Sequence, residues 1–71
     1  MAVQHRPLHS SHIQSAGYDP DTEELHVTFK RGGTYVYKDV PQSAADDFFD
    51  APSHGKNLQS EIIGTFTHHK L

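Results

Sequence analysis

The chain has 71 residues, with 6 Lys+Arg against 9 Asp+Glu for a formal charge of −3, and it contains no cysteine. That length sets one domain with a thin core, burying about 60% of the surface exposed when unfolded. The lack of cysteine excludes disulfides, thiol nucleophiles and thiolate zinc sites. A small domain without such staples fits a reducing, cytoplasmic compartment. Apolar runs are short, as at Ile62-Ile63, so no membrane span or signal-peptide core is expected. An acidic balance argues against a strong non-specific nucleic-acid binder and still allows a local basic patch.

Residues 1–9 lack periodicity, contain Pro7 and read as a flexible N-terminal arm. From Ser10 a strand of mixed polarity leads through Ile13, its one strong inward anchor, to Tyr18, and Gly17 inside it suggests a bulge or a close backbone approach. Asp19-Pro20-Asp21-Thr22-Glu23 is a turn by composition. Leu25, Val27 and Phe29 then alternate with His26, Thr28 and Lys30, the pattern of a half-buried strand. Gly32-Gly33 predicts a tight hairpin. The run from Thr34 to Val40 puts Tyr35 and Tyr37 on one face, opposite Phe29 and Val27. Pro41 suits the first position of a helix that carries Ala44 or Ala45, Phe48 and Ala51 on its apolar stripe and stops at Pro52. Ser53 is a good N-cap for a second helix, with Leu58, Ile62 and Phe66 at i, i+4 and i+8. Gly64 weakens or ends it, and residues 67–71 read as a tail. The expected fold is α+β: a three-stranded antiparallel meander followed by two short helices packed on one face, spanning residues 10–66.

The ordered set Ser11-x-Ile13-x-x-x-Gly17-Tyr18-Asp19, Leu25-x-Val27-x-Phe29-x-x-Gly32, Tyr35-x-Tyr37-x-x-Val40-Pro41 and Ala51-x-Ser53-x-Gly55-Lys56 resembles the KTSC domain. That small domain is named for its place at the C-terminus of some lysyl-tRNA synthetases and also stands alone in bacteria and their phages. The resemblance implies no established activity; RNA binding is suggested by the attachment to a tRNA enzyme, which is fold-level analogy. The chain departs from the pattern after Lys56. Asn57-Leu58-Gln59 replaces an aromatic stretch, and Ile63 stands where the family has arginine, which removes one basic contact candidate.

Two ligand surfaces are candidates. Ser53, Gly55 and Lys56 open the second helix, where backbone N–H groups, a glycine and a cation suit an anion. Lys30, Arg31 and Lys38 surround the hairpin and suit phosphates if they share a face. Tyr35 and Tyr37 could stack on bases, but their alternation with Val27 and Phe29 assigns them to the core. The Ser53 start is not a Walker loop, and no G-x-S-x-G elbow or nucleophile–base pair exists. Seven histidines carry no spacing that completes a metal site, and no cofactor is expected. The reading is a non-catalytic binding module, monomeric or weakly dimeric and without a membrane role. Its partner is either RNA or tRNA, or else a protein docking on a sheet edge or a helix face.

Overall fold

Alternation of Leu25, Val27 and Phe29 gives β3 one apolar face, and the sheet is built outward from it. The computed structural model describes residues 6–8 and 10–71. Strands β1 (Arg6–Pro7), β2 (Ile13–Asp19), β3 (Glu24–Phe29), β4 (Gly33–Tyr37) and β5 (His68–Lys70) lie in that order in one five-stranded sheet. Every neighbouring pair is antiparallel. The α+β class holds, but five strands replace the expected three. Both added strands come from segments read as arm and tail; residues 1–5 and 9 of that arm lie outside the described residues. Neither Arg-Pro nor His-His-Lys has an apolar alternation to announce a strand. Backbone pairing to the outer edges of β2 and β4 makes them strands instead, flanked by Leu8 N–H to Gln14 O at 3.1 Å, Lys38 N–H to Thr67 O at 2.8 Å and Leu71 N–H to Thr34 O at 2.9 Å.

The central register follows the sequence pattern. Val27 faces Tyr35 and Leu25 faces Tyr37, while Ala16 and Tyr18 meet Val27 and Leu25 from the other side. The irregularity expected at Gly17 sits earlier, between Ile13 and Ser15. It changes the parity of β2, so that Ile13 and Ala16, three positions apart, are both fully buried in one core. Tyr18 donates its hydroxyl hydrogen to the Val40 carbonyl. Its phenol is pushed above the usual range, first by burial and then by Glu23, Asp46 and Asp19.

Helix α1 (Gln42–Asp50) begins one residue later than expected, with Pro41 as N-cap and its carbonyl accepting from the Ala44 and Ala45 N–H groups. Ala45 and Phe48 are its buried face, and Asp46, Asp47 and Asp50 are exposed. Helix α2 (His54–Asn57) starts at Ser53, whose Oγ accepts from the Lys56 N–H at 3.4 Å. It runs directly into a π-helical turn, Leu58–Ile62, closed by Ile63 N–H to Leu58 O at 2.7 Å. The wider turn keeps both Leu58 and Ile62 in the core. The helical path ends before Gly64, at φ 88°. Phe66 packs half-buried against the core from beyond the helix. Phe29, expected to be buried, is only half-buried, because it closes the hairpin at the sheet's end.

Only one of the paired glycines is conformationally demanding. Gly33 holds φ +80°, and a Cβ there would lie 3.3 Å from the Lys70 Cε; at Gly32 an added Cβ would meet nothing closer than 3.9 Å. Gly33→Ala is therefore expected to lose about 1–2 kcal/mol, the cost of a left-handed L-residue, with Gly32→Ala near neutral in parallel urea melts. Equal losses at both sites would refute this assignment.

Candidate functional site

The hairpin and the strand it pairs with bring three distant segments to one end of the sheet. Lys30 N–H donates to His12 O at 2.8 Å, which joins the β3–β4 connection to the start of β2. The start of α2 sits against the same segment: a Cβ on Gly55 would lie 3.9 Å from Ser10 Oγ. Two open grooves result. One, of about 630 Å³, has Ser10, His12, Ser53, His54 and Lys56 on its walls, with Phe29, Leu58 and Ile63 among its apolar lining. The other, of about 740 Å³, is bounded by Lys30, Arg31, Gly32 and Tyr35. Ser11, His12 and Phe29 belong to both, so the two are one continuous surface.

Of the residues expected to bind, Ser53, Gly55, Lys56, Lys30 and Arg31 therefore come together. Lys38 does not. It follows β4 at the opposite end, tied to Thr67, and five strand residues separate it from the hairpin, roughly 17 Å at about 3.3 Å each. Gly55 has an ordinary φ, and a Cβ there would make only van der Waals contact, so the fold itself does not require glycine at this wall.

Charge is segregated along the sheet. None of the nine Asp and Glu residues lines either groove. Asp19, Asp21, Glu23 and Glu24 cluster at the β2–β3 turn and Asp39 follows β4, all at the far end. Asp46, Asp47 and Asp50 lie on α1, and Glu61 is exposed on the π-helical turn, off the groove although Gln59 and Ile63 on either side of it line the wall. Lys70 adds a cation that the sequence reading missed. On β5 it pairs with Tyr35 of β4, and its Cε approaches Gly33, two residues after Arg31 in the hairpin. Only the pairing of the C-terminal segment with β4 reveals it.

The hydrogen-bond inventory of the groove is one-sided. Ser10 Oγ accepts from the His12 and Ile13 N–H groups at 3.3 and 3.2 Å, and Ser53 Oγ accepts from Lys56 N–H. Among the described residues neither hydroxyl donates to the protein, so both keep an O–H to give. His54 Nδ1 lies 3.0 Å from the Phe48 carbonyl, which can only accept, so Nδ1 carries the proton. Ammonium, guanidinium and hydroxyl donors without a facing carboxylate match a ligand that only accepts, such as a phosphate or carboxylate.

The tyrosine pair divides. Tyr37 is 2% exposed, and burial, followed by Tyr35, pushes its phenol above the usual range. Tyr35 is half-buried and meets Phe29 edge-on, with ring centroids 5.6 Å apart at 81°. Among the described residues no three His, Asp or Glu side chains group closely enough to hold a metal ion, and no helix is long and apolar enough to cross a membrane.

The KTSC domain model matches residues 9–66. A crystal structure of a KTSC domain protein from Yersinia pestis superposes with a TM-score of 0.96 at 41% identity, covering 99% of each chain. A protein of Tsukamurella paurometabola is 43% identical over 61 residues, 86% of this chain and 91% of the relative. A lysine–tRNA ligase of Nostoc punctiforme is 34% identical over 59 residues, which is 83% of this chain and 10% of the ligase.

Proposed function

The chain belongs to the KTSC domain family, and we propose that it is a non-catalytic, cytoplasmic binding module that takes RNA along the joined grooves at the hairpin end of the sheet. The observation that carries this reading is the segregation of charge. Lys30, Arg31 and Lys56 line the joined grooves, Lys70 approaches Gly33 at the same end, and no Asp or Glu side chain lines either groove. Binding to phosphates depends on the cations engaged locally, not on the sum over the molecule. A net charge of −3 is thus compatible with a polyanion site. Cations on both of the joined grooves favour a ligand with repeated phosphates over a single anion. Similarity to a segment of a tRNA-charging enzyme supports RNA among such polymers. A protein partner adding a strand has less to hold: β1 is two residues long and includes Pro7, and β5 is three residues long.

Titration of a fluorescein-labelled RNA at several salt concentrations tests the reading. Engagement of three or four cations gives a log–log slope of about −2 to −3, at roughly 0.7 per phosphate on a single strand. Absence of binding at low salt, or affinity indifferent to salt, would rule the reading out.

A further inference from the structure

We infer that the groove receives an unstacked base, so that the RNA taken is single-stranded rather than duplex; this rests on the reading above and adds the form of the ligand. Phosphate recognition alone would need only a convex basic patch, because a duplex presents its phosphates on its outside. This surface is different. Between its cations it is concave, and part of its lining is apolar. Phe29 is half-buried and belongs to both grooves, with the edge of its ring contact to Tyr35 beside it. Ile63 is 41% exposed and lines the same depression. It is one of few large apolar side chains left open to solvent among the described residues, the other being Leu71 at the chain's end.

A half-buried aromatic ring and an exposed aliphatic chain in one groove, flanked by Lys56 on one side and by Lys30 and Arg31 on the other, are matched by an apolar-faced, planar group carried between two phosphates. A nucleobase in a single strand is such a group, since every base offers a π-face once it leaves the stack. Bases inside a duplex are paired and stacked, and reaching the groove would require melting them first. Because stacking tolerates any base, the preference is for strand form and not for sequence.

The test compares a labelled oligouridylate of about eight nucleotides, a site size within the usual range for single-strand grooves, with a blunt RNA duplex of equal length and with heparin. Phe29→Leu keeps an apolar side chain at the sheet's end and removes the π-face. Ile63→Ser alters an exposed position outside the buried core and guards against a folding artefact. The single strand is expected to bind at least about tenfold more tightly than the duplex. Each variant should weaken single-strand binding roughly tenfold, about 1.4 kcal/mol, with heparin affinity and salt slope unchanged. Equal affinity for duplex and single strand overturns the inference and leaves the polyanion reading standing, as does normal single-strand binding by both variants. Failure to bind all three ligands overturns both.

Discussion

Phe48→Ala is expected to remove about half of the domain's stability. Phe48 is fully buried and the largest of the enclosed side chains, and with Ala45 it forms the buried face of α1 in the core. Truncating such a residue removes its transfer free energy and leaves a cavity, about 3–5 kcal/mol in total. A chain of this size has roughly 4–10 kcal/mol of stability to lose, at about 0.05–0.15 kcal/mol per residue. The ring also carries its neighbours: Phe49 meets it edge-on at 5.2 Å, and His54 lies 5.6 Å away while bonding the Phe48 carbonyl. Loss of Phe48 therefore loosens the junction of α1 with α2 as well. Phe29→Ala, at a half-buried position, should cost less. Circular dichroism during urea titration reads both variants, and a Phe48→Ala midpoint close to wild type would show that the core is not organised around this ring.

The double reversal Arg31→Glu with Lys56→Glu is expected to lower RNA affinity about a hundredfold at low salt without lowering the melting temperature. Both side chains are exposed and border different parts of the joined grooves, so their effects should add. A tenfold loss at each is about 1.4 kcal/mol, and the pair about 2.7 kcal/mol. The salt slope should shrink as well, since fewer counterions are released. Lys38→Glu is the matched control. It introduces the charge change of either single reversal at the carboxylate-rich end and should alter affinity less than twofold. If Lys38→Glu weakens binding as much as the double variant does, the strand runs over the open sheet face and not through the grooves.

Periodicity in the sequence was enough to determine the inner framework. Leu25, Val27 and Phe29 alternating against Tyr35 and Tyr37 define the central hairpin, because side chains at period two must share a face when that face is buried. Ala45 and Phe48, then Leu58 and Ile62, mark the two helices for the same reason at the helical period. Ser53 is legible as a cap because its hydroxyl serves an N–H only three residues away. Each of these depends on neighbours within one element.

What required the folded molecule depends on segments far apart in the chain. Arg6–Pro7 and His68–Lys70 become strands through the open backbone edges of β2 and β4, a signal their own side chains do not carry. The bulge that turns Ala16 inward, and the π-helical turn that holds Leu58 and Ile62 together, are adjustments of backbone to core volume. The binding surface belongs to this second class. Residues around His12, Arg31 and Lys56 are individually ordinary polar positions, and only register and helix packing bring them to one end of the sheet. The same packing leaves the nine carboxylates elsewhere, a separation that net charge, being a sum, does not record.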